Sequence, residues 1–377
     1  MFRKVIAFLL AICLVFGLCA CGKEIKTDKK TVILTAPKDE YPEDYAAAKA
    51  LEAQYPDAVI HIELPDSRVL HPGDPEIVTV AQELAADPEV GAIIFARALR
   101  FSSLAIPKAK AVNPDLIIAA IEPEDDLDTV STAADFVIAC DWSAAAKEIV
   151  SAAKEAGAQY FVFFSFPRLN QNPLAVNEQK AFENECGAVG IKFILDNGND
   201  PGGGYTDETG IVKAKDVIRE RFLYLKNKEK IEGENVVLFS ADVTVQQTLV
   251  ELADENGMIY ICPEFPGVIG GAGYAYGVSL PDDMSSTKEY VSALKEAVKA
   301  KSADARLYLY GFPLMTSFVN AAFYSVVNIL QGSADSLADC VTEELKEAAK
   351  SRDFTVTQDD SASNVFYCYC PNIQKIK

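Results

Sequence analysis

From residue 31 onward the chain alternates short, nearly continuous apolar runs with longer amphipathic ones, and this rhythm leaves few folds open. Apolar runs fall at 31–36 (TVILTA), 59–64, 91–96 (GAIIFA), 116–121 (LIIAAI) and 136–140 (FVIAC). A strand wetted on one face alternates apolar with polar residues; these runs do not, as expected of strands covered on both faces of a parallel sheet. Helices are predicted at 45–54, at 75–86, where Pro75 takes a first-turn position that has no use for an N–H, and at 142–156, stopped by Gly157. The pattern then restarts, with apolar runs at 159–164 (QYFVFF), 191–195, 235–239 and 258–262 and helices at 177–189, 214–227 and 243–256. Two successive doubly wound, Rossmann-like α/β lobes follow from that repetition. A helix at 286–300, a strand at 307–310, helices at 314–330 and 336–350 and a strand at 364–370 return to complete them. No Gly/Ser-rich linker separates the lobes, which predicts close coupling across a central cleft.

The first residues follow a different grammar. Arg3 and Lys4 precede an apolar stretch over 5–18, and Leu18-Cys19-Ala20-Cys21 closes it before the polar Gly22-Lys23-Glu24. A basic start, an apolar core of about 7–15 residues and a small residue before the cleavage point describe a secretory signal. A bilayer-spanning helix takes about 20 apolar residues. The cysteine at the cleavage point makes the signal a lipoprotein one. Residues 1–20 are expected to be removed, Cys21 to take a diacylglyceryl group with palmitate-type chains, and residues 21–30, carrying Lys23, Lys26, Lys29 and Lys30, to serve as a tether. The expected address is the extracytoplasmic face of the cell membrane, held there by lipid.

Charge excludes one class of partner. The chain carries 35 basic and 55 acidic side chains, a net charge of −20. Such a surface repels phosphate backbones, so nucleic acid is set aside. Of nine cysteines, Cys13, Cys19 and Cys21 belong to the export signal. Cys140, Cys186, Cys262, Cys340, Cys368 and Cys370 remain, without a recurring metal-type spacing, and read as buried small apolar side chains whose oxidation state the sequence leaves open. Only His61 and His71 are present, so a histidine-rich metal site is excluded, and no G-x-S-x-G elbow occurs. Gly271-Ala272-Gly273 lacks the spacing of a dinucleotide-binding turn. Around Asp196, Gly198 and Pro201 break the pattern of a calcium loop. No cofactor, metal or catalytic residue is predicted.

In open α/β sheets ligands bind beyond the carboxyl ends of the strands. In the first half those positions hold Lys38, Arg97, Glu122, Asp141 and Trp142; in the second they hold Ser165, Arg168, Asn170, Asp196, Ser240, Asp242 and Glu264. These are the candidate ligand-binding residues. Trp142, the single tryptophan, beside Asp141 could form an aromatic wall with an acceptor, or open a helix that Asp141 caps. Arg168, on the proline-stiffened string Ser165-Phe166-Pro167-Arg168, offers a bidentate fork to a carboxylate or phosphate, or an ion pair between lobes. The string at 308–313 (YLYGFP) is read as cleft or hinge lining, with most of its rings in the core.

An export anchor followed by two coupled α/β lobes resembles a type 1 periplasmic-binding protein. The strings 158–170 (AQYFVFFSFPRLN) and 235–247 resemble, more narrowly, an uncharacterised family of Gram-positive lipoproteins with that fold. In that family a histidine follows the arginine of the FSFPR string; here Leu169 stands in its place. The resemblance implies three crossings between lobes, placed near Gly157, near Gly311 and after Lys350, so that lobe one is 31–157 plus 312–350 and lobe two is 158–311 plus 351–377. It also implies a hinged trap: a monomer that captures a small polar ligand between its lobes for an ABC-type importer. The alternative is a sensor whose closed form signals to a membrane receptor; a hydrolase of unknown type comes third.

Overall fold

A computed structural model describes residues 25–38, 41–65, 76–167, 170, 173–198, 208–240, 245–263, 271–279, 288–302, 304–334 and 336–377, with the backbone alone for 208–214. Cys21, Arg168, Asp242 and Glu264 lie outside the described residues.

Lobe one opens with β1 (Lys30–Thr35), α1 (Pro42–Gln54), β2 (Val59–Glu63), α2 (Glu76–Ala86), β3 (Val90–Phe95), α3 (Ser102–Val112), β4 (Ile117–Ile121), α4 (Leu127–Ala133) and β5 (Phe136–Cys140). Then come α5 (Trp142–Glu155), β6 (Tyr160–Ser165), α6 (Pro173–Val189), β7 (Lys192–Asn197), α7 (Glu208–Glu229), β8 (Val236–Ser240), α8 (Gln246–Asn256), β9 (Ile259–Cys262), α9 (Ala272–Tyr276), α10 (Lys288–Lys301) and β10 (Arg306–Tyr310). The chain ends with α11 (Leu314–Leu330), α12 (Leu337–Ala349), β11 (Thr355–Gln358), β12 (Val365–Tyr369) and β13 (Ile373–Lys375). The expectation of two doubly wound lobes holds. One sheet runs β11-β12-β5-β4-β3-β1-β2 and the other β13-β10-β9-β8-β6-β7, parallel except for the β11–β12 and β10–β13 pairs. In each lobe the first five strands take the order second-first-third-fourth-fifth, which puts a topological switch point between β1 and β3 and its counterpart between β6 and β8.

The apolar runs explain the layering. Every residue of β3, β5, β8 and β9 is buried, whereas the edge strand β7 keeps Lys192, Leu195 and Asn197 exposed. One face of the second sheet carries Phe161, Phe163 and Phe239, on which Phe182 of α6 packs, with tilted rings and centroids 4.5 Å apart for Phe182 and Phe239. Caps appear where the sequence provides them: the Asp141 carboxylate accepts from Ser143 and Ala144 N–H at the start of α5, and Gly257, at φ 65°, ends α8. Pro107 inside α3 breaks the helical pattern that the sequence would otherwise show there.

Two of the expected lobe boundaries are corrected. The first crossing lies at Cys140–Trp142, not near Gly157: α5 buries Ala146, Ile149, Val150 and Ala153 against Phe161 and Phe182 of lobe two. The last segment was expected in lobe two from residue 351, but β12 pairs in parallel with β5 and β11 pairs outside it, so both complete the first sheet. Only β13 crosses to pair with β10. Apolarity marks a segment as a strand or a covering helix; it does not say which of two similar sheets receives it. The middle crossing runs from β10 through Gly311 to α11, which packs on α1, β1, β3 and β4.

The three crossings lie together and brace one another. Tyr310 Oη donates to the Cys370 carbonyl at 2.9 Å, Gly311 N–H donates to the Asn372 carbonyl at 2.9 Å, and the Tyr310 and Tyr369 rings stack with centroids 5.5 Å apart. Glu148 of α5 accepts from Tyr369 Oη at 2.5 Å and from Ile373 N–H at 2.8 Å, tying the third crossing to lobe two. A Cβ at Gly311 would press on the side-chain amides of Asn372 and Gln374, so the third crossing packs its side chains directly on this glycine. The six cysteines of the described residues are buried free thiols; burial pushes Cys186 up to about 12. Among the described residues no helix is long and apolar enough to cross a membrane.

Candidate functional site

A cleft of about 550 Å³, open to solvent on one side, lies between the lobes beside the three crossings. It is built from strand ends, as the geometry of open sheets requires. Tyr41, Pro42, Glu43 and Asp44 arrive on the loop and first turn that follow β1. Arg97 follows β3, Glu122 follows β4 and Cys140 closes β5. Lobe two contributes Trp142 from the start of α5, Pro263 after β9 and Tyr310 at the end of β10. Leu314, Met315 and Tyr369 complete the wall near the hinge.

The centre of the lobe-one wall is an ion pair at the switch point between β1 and β3. Arg97 Nε donates to Asp44 Oδ2 at 2.9 Å, with the side chains 11% and 1% exposed. The guanidinium also lies over the Tyr41 ring, 4.0 Å from its centroid, and Tyr41 Oη donates to Glu124 at 3.4 Å. Burial pushes the Asp44 carboxyl up, and Arg97 opposes that push. Glu43 has a separate task. Its Oε1 accepts from Thr316 N–H at 2.8 Å, capping the first turn of α11, where Pro313 offers no side-chain cap. Burial holds Glu43 well above the ordinary carboxylate range, with the Thr316 N–H pulling the other way. Glu122 has φ 45°, unusual for a side-chain-bearing residue, and its Oε1 accepts from the Cys140 N–H. These contacts place a cation, carboxyl groups and aromatic rings around one cleft, a combination suited to gripping a small polar molecule.

Of the residues expected at the site, Arg97, Glu122 and Trp142 come together in this wall. Asp141 does not line it; its carboxylate is the α5 cap. Lys38 and Asn170 are exposed outside it. Among the described residues, the lobe-two candidates Asp196, Ser165 and Ser240 make contacts within that lobe. Asp196 pairs with Arg221 at 2.6 Å, the Ser165 carbonyl accepts from the same guanidinium at 3.0 Å, and Ser240 Oγ donates to the Phe164 carbonyl at 2.9 Å.

Sequence reasoning reached Pro263 as a strand-end position and Tyr310 within the 308–313 string, and passed over Tyr41 to Asp44, Cys140, Leu314, Met315 and Tyr369. A signal existed for the first group. Tyr41-Pro42-Glu43-Asp44 has the form of a helix start, with proline at its first position and acids in its first turn, and a short loop after β1 holds it at the strand's carboxyl end. The hinge residues had no such mark, because their place depends on how the crossings pack. Among the described residues, no three His, Cys, Asp or Glu side chains are arranged to hold a metal ion.

Comparison with known proteins supports the architecture. A family model described as protein of unknown function (DUF3798) matches residues 30–308. Two uncharacterized proteins of Treponema pallidum (strain Nichols) are 26% and 25% identical over 189 and 190 residues, covering 48% and 47% of this chain and 85% and 86% of theirs. Among solved structures, a putative transcriptional regulator from Clostridium difficile 630 superposes with a TM-score of 0.67 at 18% identity, over 93% of this chain and 100% of that one. An ABC transporter solute binding protein from Clostridium phytofermentas, with bound L-rhamnose, gives 0.51 at 10% identity, over 93% of this chain and 96% of that one. These likenesses are of fold: the two-lobe fold of type 1 periplasmic-binding proteins.

Proposed function

We propose that this chain, which belongs to the DUF3798 family of proteins of unknown function, is a solute-binding protein that takes a small polar ligand into the cleft between its lobes. One observation carries the reading: a single cavity is walled by strand ends of both lobes and lies against all three crossings. Rotation about such crossings changes the cavity without disturbing either sheet, so a ligand touching both walls favours the closed form. Lobe one supplies the charged groups and lobe two the aromatic cover. The reading is of binding without turnover. The rhamnose-bound neighbour shares the fold at 10% identity and does not name the ligand.

The export signal extends the proposal. We read Cys21 as a lipidated N-terminus that holds the body on the outer face of the membrane, beside an ABC-type importer that accepts the closed form. Signalling to a receptor would use the same closure. Labelled palmitate is expected to enter the full-length protein and not Cys21→Ala, which should be shed from the membrane; equal labelling of both would remove the anchor.

Trp142 provides the test of capture. It is the sole tryptophan and sits in the wall, so its fluorescence reports on the cleft alone. A ligand at 100 times its dissociation constant adds about 2.7 kcal/mol of stability. Saturable fluorescence change and raised thermal stability with the same compound are expected. A folded protein that responds to no class of small metabolite in either measurement would falsify solute capture.

A further inference from the structure

Asp44 is 1% exposed and lines the cavity, yet only one of its oxygens meets a donor from another residue. Oδ2 takes the Arg97 hydrogen bond; Oδ1 has no such partner. A buried carboxylate oxygen left in this state carries an uncompensated desolvation penalty, so it is a place prepared for a donor that arrives with a ligand.

The charge around it says what kind of donor. Among the described wall residues the carboxyl groups of Asp44 and Glu122 stand against one guanidinium, which is already engaged with Asp44 and the Tyr41 ring; burial favours the neutral form of Glu43, which adds no charge to this balance. An anionic ligand would enter against that field. A neutral polyol could donate to Oδ1 but would leave the carboxylate excess unbalanced. The lining also includes Trp142, an aromatic ring of the kind whose face attracts cations. A bound metal ion needs several oxygen, nitrogen or sulfur ligands converging on one point, and among the described residues no such group is present.

We infer that the cleft is selective for an organic ammonium compound, a primary amine whose N–H groups reach Asp44 Oδ1 and Glu122 while its carbon skeleton lies on Trp142. This deepens the capture reading and rests on it. The guanidinium then has a positioning role: it holds Asp44 by Oδ2 at the cavity wall and leaves the second oxygen without a donor. Glu43, its neutral form favoured by burial and its Oε1 engaged with Thr316 N–H, contributes little to the field and does not have to touch the ligand.

The full-length protein in detergent, titrated by Trp142 fluorescence and thermal unfolding, decides the matter. Three sets of probes are used: ethanolamine, n-butylamine and putrescine; L-rhamnose and myo-inositol; succinate and inorganic phosphate. At least one amine is expected to bind saturably, with affinity reduced about 10- to 100-fold in Asp44→Asn and about 10-fold in Glu122→Gln, and unchanged in Asp196→Asn, which alters the internal pair of lobe two. Where Asp44→Asn does not fold, Glu122→Gln decides. Binding of only neutral or anionic probes, or amine binding indifferent to both wall variants, overturns the ammonium inference and leaves solute capture standing. A folded protein that binds none of the probes, and none of a wider metabolite panel, overturns both.

Discussion

The two lobes share one strand order and differ in what they do with its carboxyl ends. In lobe one the arginine sits on the strand-end loop itself, and the Arg97–Asp44 pair forms part of the cavity wall. In lobe two the arginine comes from a covering helix: Arg221 of α7 reaches over the end of β7, pairs with Asp196 and donates to the carbonyls of Ser165 and Asp196. Gly198 leaves the room it needs, since a Cβ there would run into the Arg221 guanidinium. The same pair of residue types therefore forms part of a cavity wall in one lobe and an internal brace in the other, according to which element supplies the arginine. A polar residue after a strand is a site only if nothing from the covering helices reaches it first.

The most forceful way to break this comparison is Arg221→Ala. The pair is 11% and 14% exposed, and removing one partner of a buried pair costs about 3–5 kcal/mol because the other charge is left uncompensated. Urea unfolding should show that loss, while the folded fraction keeps its ligand affinity within about threefold. Lost binding at unchanged stability would make Arg221 a cleft residue and erase the distinction between lobes. The converse test is Trp142→Ala. An aromatic side chain at a buried contact contributes on the order of 2 kcal/mol, so affinity should fall about 30-fold, read by thermal shift because the fluorophore is gone. Stability should change much less than in Arg221→Ala.

Glu43 sharpens the comparison through pH. Its folded pKa is raised by burial above the ordinary 4.5, so the native state holds a proton that the unfolded chain has released. Stability must then fall as pH rises, starting near 4.5 and ending once pH passes the folded value, at about 1.4 kcal/mol per pH unit in between. Asp44 acts in the same direction, more weakly because of Arg97. Glu43→Gln, which keeps the acceptor for Thr316 N–H, should flatten this decline. An unchanged pH profile would show that the lobe-one wall is no more strained than lobe two's brace.

Much of the fold was legible because each strand is buried on both faces and so carries its mark in consecutive residues; β3, with all six residues buried, is the clearest case. What was hidden depends on partners distant in sequence. β12 has the apolarity of an inner strand, but its place beside β5 is decided by register with residues more than 200 positions earlier, such as Cys368 opposite Cys140. The site divides in the same way. Arg97, Glu122 and Trp142 could be reached from strand ends alone, whereas Ser165, Asp196 and Ser240 could not be dismissed without knowing that Arg221 and the Phe164 carbonyl take them up. Tyr310 and Tyr369 lie in the wall only because three crossings pack together.

The smallest expected effect separates neighbouring residues at the first crossing. Asp141 and Trp142 are adjacent, follow the same strand and were equally plausible as ligand contacts, yet only Trp142 lines the cavity. The Asp141 Oδ1 atom instead accepts from the N–H groups of Ser143 and Ala144, both at 3.0 Å, and so satisfies two donors that the start of α5 leaves open. Replacing such a cap by alanine typically costs about 1 kcal/mol. Asp141→Ala should therefore lower the urea midpoint slightly and leave ligand affinity unaltered, and Asp141→Asn should recover most of the stability because an amide oxygen can also cap. Because α5 belongs to lobe two while Cys140 belongs to lobe one, this cap fixes the direction in which the chain leaves one sheet for the other. Affinity that falls more than stability in Asp141→Ala would place the carboxylate in the binding wall, and the crossing would then carry ligand contacts on two consecutive residues instead of one.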